Sequence, residues 1–230
     1  MCMFDKEKMK PCKKKPFIVS FEGIEGCGKT TQFNKFIKFL KKVGNIKFLY
    51  FREPGSTSLG EYLRNILLHS RLPITTLAEA LLFCASRVQL LKENLKDIYK
   101  SDIVIFDRFV DSTLAYQGSD PKLEIEFKQF SEIVEKFCLG IFPDLTFIFD
   151  IEVEKARLRK HDKDRFFKRD LTYHRRVRRK YRELAKIWPQ RIVVIDASRQ
   201  EEEVFDKVKN IFFERCPQKV KYCIQKSGII

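Results

Sequence analysis

The segment Gly23–Thr30, GIEGCGKT, constrains this 230-residue chain more than any other feature. It fulfils the pattern G-x-x-x-x-G-K-[ST], and it lies between an apolar run, Phe17–Glu22, and an amphipathic stretch that extends to about Val43. A glycine-rich loop in this context turns its backbone N–H groups inward around phosphates, and the helix that follows adds its positive N-terminal end. The chain is therefore expected to form a phosphate-binding strand, loop and helix.

The residue types of this loop predict individual roles. Lys29 can reach the terminal phosphates of ATP, and the Thr30 hydroxyl can bind Mg²⁺. The alternative is a glycine-rich turn with a solvated lysine, which the complete motif in its expected context disfavours. The residues predicted to bind the ATP phosphates are Gly23, Gly26, Cys27, Gly28, Lys29, Thr30 and Thr31.

Further apolar runs predict the rest of the fold. The additional strands are expected at Lys47–Phe51, Ser101–Phe106, Leu145–Phe149 and Arg191–Ile195, and the clearest helices at Leu59–Ser70 and Leu77–Tyr99. This alternation is typical of an α/β fold with a five-stranded parallel sheet flanked by helices, in which ligands bind beyond the carboxyl ends of the strands. We expect a basic extension at residues 1–16, one domain at 17–215, and a tail at 216–230 without a clear helical period.

The charge of the chain indicates a polyanionic partner. The net charge is +15, and the segment Arg157–Arg182 holds thirteen Lys or Arg against three Asp. Nucleic acid, a membrane surface and nucleotide phosphates all fit this balance. No apolar run approaches the ~18 residues of a membrane span. The seven cysteines include no C-x-x-C pair, and the N-terminus lacks a signal-peptide core, so we expect a cytoplasmic protein with reduced thiols.

Asp107 and Arg108 directly follow the predicted strand Ser101–Phe106. A carboxylate at that sheet edge is suited to holding Mg²⁺, partly through water, and a guanidinium can clamp a phosphate. A structural ion pair is the alternative for an isolated Asp-Arg doublet. The nearby phosphate-binding loop favours the functional interpretation.

Several blocks resemble the thymidylate kinase family over nearly the whole chain. They are FEGIEGCGKTTQ (Phe21–Gln32), REPGST (Arg52–Thr57), FCASR (Phe83–Arg87) and DRFVDSTLAYQG (Asp107–Gly118). The resemblance implies a P-loop nucleoside monophosphate kinase fold with a lid. It also implies Mg²⁺-dependent transfer of phosphate from ATP to thymidine monophosphate (dTMP), and a homodimer.

The resemblance further implies a role for each residue of the acceptor site. Phe83 would stack on thymine, Arg87 would bond its carbonyl edge, and Gln117 would contact the base from the other side. Tyr116 would lie beside the sugar, and Glu25 near its 3′-hydroxyl. Arg52 and Arg108 would bind the acceptor phosphate. Apart from the resemblance, Glu53 is expected to orient Arg52 rather than to take part in the chemistry.

The lid is expected at about residues 157–170. The resemblance is to the bacterial type, because Gly26 stands where another type has an arginine, so lid arginines would close over ATP. Arg159 and Arg165 are the predicted catalytic lid residues, with Arg157 beside them. Phe167 departs from the family pattern, in which a glutamate is common, and Phe109 replaces the usual tyrosine.

The expected chemistry needs charge neutralisation more than a general base, because a phosphate monoester is already ionised near neutral pH. The predicted catalytic residues are Glu25, Lys29, Asp107, Arg108, Arg159 and Arg165. The three histidines, His69, His161 and His174, are dispersed and predicted to lie on the surface.

Two alternatives stay open at the level of sequence. The chain could be a kinase for another nucleoside monophosphate or for a deoxynucleoside, in which case Glu25 is the obvious candidate for a base. It could also be a nucleic-acid-binding protein that holds nucleotide without turnover. A nucleic-acid partner is not expected, because no recognisable nucleic-acid-binding module is present.

Overall fold

The structure is a computed structural model that describes residues 15–159 and 164–228. Its strands are β1 (Phe17–Glu22), β2 (Phe48–Arg52), β3 (Ile103–Asp107), β4 (Leu145–Asp150) and β5 (Ile192–Asp196). Its helices are α1 (Lys29–Val43), α2 (Ser58–His69), α3 (Thr76–Ile98), α4 (Val110–Tyr116), α5 (Phe127–Lys136), α6 (Val153–Arg159), α7 (Leu171–Ile187), α8 (Glu201–Arg215) and α9 (Gln218–Ser227).

The strands form one parallel sheet in the order β2-β3-β1-β4-β5. The predicted five-stranded parallel sheet is therefore confirmed, with strand boundaries that differ by one or two residues. Asp107, expected just after the third strand, is the last residue of β3 and is paired in register with Phe21 of β1. The carboxyl ends of these neighbouring strands bring the β1–α1 loop and Asp107 to the same edge.

Packed phenylalanine rings hold α1 on the sheet. The Phe21 ring in β1 lies 5.7 Å from Phe33 and 5.4 Å from Phe36, both on α1. On the sheet itself it contacts Phe147 and Phe149 at 5.5 and 5.7 Å. Truncating one such buried ring typically costs about 3–5 kcal/mol. This packing fixes both ends of the loop that carries the GIEGCGKT motif.

The C-terminal segment is helical, although its sequence has no clear helical period. Helix α9 packs against α1 and buries Val220 and Ile224. The apolar face is narrow because lysines and glutamine occupy much of the remaining helix. Tertiary contact rather than amphipathic pattern therefore specifies this helix.

Membrane-spanning helices and disulfides were both unexpected from the sequence. Within 15–159 and 164–228, no helix has the length and apolar character needed to cross a membrane. Cys27, Cys84, Cys138, Cys216 and Cys223 are all free thiols. The described cysteines thus form no disulfide.

Candidate active site

A cleft of about 740 Å³ lies at the sheet edge where β1, β2 and β3 end. Of the predicted site residues, those that line it are Glu25, Gly26, Cys27, Gly28, Lys29, Thr30, Thr31, Arg52, Phe83, Asp107, Arg108, Tyr116, Gln117 and Arg159. Gly23, Arg87 and Arg165 are not lining residues. The fold thus brings most of the predicted residues together around one cavity.

Glycines shape the loop between β1 and α1. Gly28 has φ +86° and directly precedes the first residue of α1, while Gly26 has φ +77°. A Cβ atom at Gly26 would also clash with the backbone carbonyl of Ala156 on α6. The backbone at these positions is in the left-handed region that favours glycine. Position 26 therefore has no space for a side chain in this structure.

Lys29, Thr30 and Asp107 form a buried polar group at the base of the loop. The Lys29 ammonium is hydrogen-bonded to Asp107 Oδ1, and Thr30 Oγ1 donates to Asp107 Oδ2 at 3.3 Å. Burial opposes ionisation of Asp107, but the charge and hydrogen bond of Lys29 outweigh it and lower the pKa of Asp107. The carboxylate is therefore held ionised beside the phosphate-binding loop.

These residues fit a magnesium ion. The Thr30 hydroxyl and the Asp107 carboxylate are oxygen ligands, the type that Mg²⁺ prefers. The described residues contain no cluster of three or more His, Cys, Asp or Glu able to hold a metal. Mg²⁺ in nucleotide sites usually needs only one or two protein ligands, because phosphate oxygens and waters complete its shell.

Arg108 is held in place from several sides. Its backbone has φ +69°, and its Nη1 atom donates to the Gly23 carbonyl at 2.9 Å and to Ser112 Oγ at 3.1 Å. Its Nη2 atom donates to Glu25 Oε1 at 3.1 Å, and the guanidinium lies 5.1 Å from the Tyr116 ring centroid. A non-glycine residue in the left-handed region is strained, and such strain persists only where the surroundings enforce it.

Glu25 contacts Arg108, Tyr116 and His174, and the prediction that His174 lies on the surface was wrong. Tyr116 donates its hydroxyl to Glu25 Oε1 at 2.7 Å. His174 is buried, not on the surface, and its Nδ1 atom lies 3.7 Å from Glu25 Oε2. His174 lies on the buried face of α7. Its burial could not be predicted, because most of its neighbours in the sequence are basic and polar. His69 is exposed as predicted, and His161 lies outside the described residues.

A buried carboxylate, Glu22, supports Arg108 from behind and was not predicted from sequence. Its Oε1 atom accepts from the Phe109 amide at 2.7 Å, and Oε2 accepts from Ser112 Oγ at 2.5 Å and Tyr181 OH at 3.0 Å. Burial, followed by repulsion from Asp111, raises the pKa of Glu22 from 4.5 to about 7. The Ser112 hydroxyl joins this carboxylate to the Arg108 guanidinium.

Aromatic rings form the other end of the cleft. Phe83 is only partly buried and its ring centroid lies 5.9 Å from that of Phe166, which itself lies 6.0 Å from Tyr116. All three side chains line the cleft. Phe83 thus lines the cleft, and its stacking on the base stays a prediction. Phe166 was missed, because nothing in its local sequence separates it from the neighbouring Phe167.

Gln117, which lines the cleft, and Arg87, which lies on α3 one turn after Phe83 and does not line it, each keep one buried polar atom without a hydrogen bond. Gln117 Nε2 donates to Glu79 Oε1 at 2.7 Å, while Gln117 Oε1 has no partner among the described residues. Arg87 bonds Glu53 through Nε and Nη2 at 3.0 and 2.8 Å, while its Nη1 atom is unpaired within the same part of the chain. Buried polar atoms are rarely left unpaired, and exceptions require an explanation.

Glu53 therefore orients Arg87 and not Arg52, so the expectation for Glu53 was wrong. Arg52 instead forms an ion pair with Glu61 on α2, at 3.0 Å. Arg64, one helical turn beyond Glu61, also lines the cleft and donates to the Pro54 carbonyl at 3.0 Å. Burial, followed by repulsion from Arg52, lowers the pKa of Arg64. The neighbouring cations Arg52 and Arg64 are therefore suited to bind an anion.

The lid arginines separate into two groups. Arg159, at the end of α6, lines the cleft and donates to the Ala197 carbonyl at 2.9 Å. Arg157 donates to the Phe167 carbonyl at 3.2 Å and lies over the Phe167 ring at 5.1 Å. Arg165 instead bonds the buried Glu79 at 2.5 Å, together with Arg169 at 2.8 Å. Residues 160–163 of the predicted lid lie outside the described part.

The parallel sheet and the cleft at its edge have the features of one kind of enzyme. A P-loop follows a central strand of a parallel sheet, its lysine bonds a strand-end aspartate, and Arg52, Arg64 and Arg108 line the same cleft. A phosphate donor on one side and an anionic acceptor on the other are what such a cleft accommodates. This is the architecture of a P-loop nucleoside monophosphate kinase.

Comparison with known proteins identifies the family within that class. The thymidylate kinase family model matches residues 21–208. A thymidylate kinase of Caldanaerobacter subterraneus subsp. tengcongensis is 42% identical over 187 residues, 80% of this chain and 88% of the relative. One of Kosmotoga olearia is 37% identical over 215 residues, 92% of this chain and 98% of the relative. The crystal structure of thymidylate kinase from Ehrlichia chaffeensis matches with a TM-score of 0.69 at 29% identity, covering 86% of this chain and 99% of that chain. The chain belongs to the thymidylate kinase family.

Proposed function

We propose that the cleft binds ATP at the P-loop and dTMP between the arginines and the aromatic rings, and that the protein transfers the γ-phosphoryl group of ATP to dTMP. The observation that carries the choice of acceptor is the pair of unpaired polar atoms, Arg87 Nη1 and Gln117 Oε1. One is a hydrogen-bond donor and the other an acceptor. Thymine presents the complementary pair, a carbonyl oxygen at C4 and an N–H at N3.

The same pair disfavours cytosine. Cytosine carries an amino group at C4 and an unprotonated N3, so both hydrogen bonds would place donor against donor or acceptor against acceptor. Leaving buried polar groups unpaired is costly, and sites built to bond a polar group discriminate strongly against analogues without it. Phe83 and Phe166 supply apolar ring faces suited to a planar base.

The phosphate end of the acceptor meets positive charge. Arg108, Arg52 and Arg64 line the cleft between the P-loop and the aromatic end. The acceptor phosphate has a second pKa of about 6 and is therefore mostly dianionic near neutral pH. It needs no general base, and these cations offset its repulsion from ATP. Glu25 holds Arg108 and Tyr116 and is suited to accept a hydrogen bond from the sugar hydroxyl.

The ATP end uses backbone amides and cations. Lys29 exchanges its bond to Asp107 for the terminal phosphates, and the amides of Gly26, Cys27, Gly28, Thr30 and Thr31 surround the chain of phosphates. Mg²⁺, when bound, neutralises charge on the β- and γ-phosphate oxygens, and Thr30 and Asp107 would hold it. Arg159 approaches from the lid side. Arg165 would have to leave Glu79 to reach ATP, so we assign it to the acceptor side.

We also propose a homodimer in the cytoplasm. Apolar side chains are exposed together on α2 and α3, where Tyr62 is 72% exposed and Leu59, Ile66 and Leu81 are 40–46% exposed. Exposed apolar patches of this kind commonly mark interaction surfaces. Light scattering after gel filtration should give twice the monomer mass of 27.4 kDa, and a monomer at micromolar concentration would contradict this part of the proposal.

Titration calorimetry tests the acceptor assignment without turnover. dTMP should bind about a hundredfold more tightly than dCMP, since two mismatched hydrogen bonds each cost about 1–3 kcal/mol. Thymidine, which lacks the phosphate, should bind weakly because the arginines lose their anion. Equal affinity for dTMP and dCMP would show that the unpaired atoms of Arg87 and Gln117 do not select the base.

A further inference from the structure

We propose that Glu79 is a positioning residue that joins recognition of the acceptor base to the placement of the lid. This proposal rests on the proposed acceptor site. Glu79 lies in the first turn of α3 and is fully buried. It does not line the cleft, so any effect on the substrate is transmitted through the residues that it binds.

The Glu79 carboxylate divides its two oxygens between the pocket and the lid. Oε1 accepts from Gln117 Nε2 at 2.7 Å. Oε2 accepts from Arg165 Nη2 at 2.5 Å and from Arg169 Nη2 at 2.8 Å. Arg165 and Arg169 belong to the segment between α6 and α7, which is far from Glu79 in sequence. One carboxylate thus bridges the base-reading amide and the lid segment.

The first consequence concerns which end of the Gln117 amide faces the base. An amide can present either its oxygen or its nitrogen, and hydrogen bonding to neighbours decides between them. A carboxylate accepts hydrogen bonds and donates none, so Glu79 fixes Gln117 Nε2 toward itself. Gln117 Oε1 is left as the free acceptor. Glu79 therefore determines that position 117 accepts an N–H from the base.

The second consequence concerns Phe166. Both arginines that Glu79 binds contact this ring, and its centroid lies 5.3 Å from the Arg165 guanidinium carbon and 4.9 Å from that of Arg169. The same ring lines the cleft beside Phe83 and Tyr116. The two ion pairs to Glu79 therefore hold a lid residue over the base pocket. A backbone hydrogen bond from Arg165 to the Leu68 carbonyl, at 3.0 Å, adds to this attachment.

Charge makes these links strong. Glu79 is 1% exposed, while Arg165 and Arg169 are 21% and 25% exposed. A buried carboxylate is stable only when it is paired, and hydrogen bonds between ionised groups are roughly twice as strong as neutral ones. The lid segment at residues 164–170 is thus attached through Glu79 to the proposed acceptor site, whereas Arg159 lines the cleft and bonds the Ala197 carbonyl.

The test compares Glu79→Gln with Arg169→Gln, using Glu154→Gln as a matched control. Glu154 forms an exposed ion pair with Arg175 at 2.5 Å near the lid and has no contact with the pocket. For each variant, kcat and the KM values for dTMP and ATP are measured by ADP release. The preference for dTMP over dCMP is measured as the ratio of kcat/KM values. Thermal unfolding monitors the fold.

Glu79→Gln should raise KM for dTMP roughly ten- to hundredfold, with KM for ATP unchanged within about twofold. It should also lower the preference for dTMP over dCMP by about tenfold or more, because a neutral amide at position 79 lets the Gln117 amide turn over. Arg169→Gln should raise KM for dTMP a few-fold and leave the preference unchanged, since Gln117 keeps its partner. Glu154→Gln should match the wild type.

Equal increases in both KM values, or an unchanged base preference in a folded Glu79→Gln protein, would overturn the proposal. If Glu79→Gln does not fold, Arg169→Gln tests whether the ion pairs of Glu79 with the lid segment affect binding of dTMP. An unchanged KM for dTMP in that variant would overturn the proposal. Failure of the proposed function is distinguishable, because wild-type protein would then show no turnover that depends on dTMP.

Discussion

Replacing Glu22 by glutamine should remove a specific pH dependence from the stability of the protein. Folded Glu22 has a pKa of about 7 because burial and Asp111 oppose its ionisation, against an ordinary value of 4.5. Between these two values the folded protein keeps a proton that the unfolded chain has lost. The contribution to the free energy of unfolding is therefore complete below pH 4.5 and is lost as pH rises to about 7.

The difference between these pKa values corresponds to roughly 3 kcal/mol, at about 1.36 kcal/mol per pH unit. Glutamine resembles the protonated acid in shape and stays neutral. Its carbonyl can accept from the Phe109 amide, and its NH₂ group can donate to the oxygens of Ser112 and Tyr181. Below about pH 4.5, Glu22→Gln should thus be close to wild type, and by pH 8 it should be more stable by up to roughly 3 kcal/mol.

Urea unfolding at a series of pH values from about 4 to 8 measures this difference directly. Subtracting wild type from Glu22→Gln cancels the other titrating groups. Glu124→Gln, which changes an exposed glutamate in a loop, is the control and should run parallel to wild type. A difference between Glu22→Gln and wild type that stays constant across the range would show that the pKa of folded Glu22 is not raised.

Substitution of three residues that line the cleft, Gly26, Lys29 and Arg108, tests the role of each one. Lys29→Ala should abolish phosphoryl transfer while circular dichroism shows an intact fold, since the lysine is assigned to the ATP phosphates and its only described partner is Asp107; near-normal turnover would contradict its role. Arg108→Gln should lower kcat by about 10³ or more in steady-state assays, because a well-placed arginine contributes that much to phosphoryl transfer; a loss confined to KM would limit Arg108 to binding. Gly26→Ala should destabilise the protein by about 1–3 kcal/mol in denaturant titrations, since alanine there meets the Ala156 carbonyl at φ +77°; an unchanged midpoint would mean that α6 moves aside.

Local sequence predicted the sheet and the P-loop well. The run Phe17–Glu22 is apolar and contains β-branched residues, so β1 was predictable. The glycines and Lys29 that follow are typical of a phosphate-binding loop that opens a helix, so the loop and α1 were predictable too. Asp107 could be predicted at the cleft because the carboxyl ends of parallel strands share an edge. Phe83 and Gln117 were found only through the family resemblance.

The pairing of buried carboxylates with residues distant in sequence could not be predicted. Glu22 and Tyr181 are 159 residues apart, and Glu79 and Arg165 are 86 apart. Nothing in the local sequence separates these glutamates from exposed ones, because their burial depends on how helices pack on the sheet. The same reason explains why His174 was wrongly placed on the surface. Helix α9 was missed since few of its residues are apolar.

Transfer of phosphate from ATP to dTMP is best measured as ADP release with ATP and Mg²⁺ when dTMP, dUMP, UMP, CMP, AMP, GMP and thymidine are offered separately. We expect the highest kcat/KM with dTMP and the next highest with dUMP, which presents the same hydrogen-bonding edge. Little turnover is expected with CMP or the purine monophosphates. A preference for AMP or GMP would contradict the assigned base pocket, and turnover with none of these acceptors would contradict the kinase activity itself.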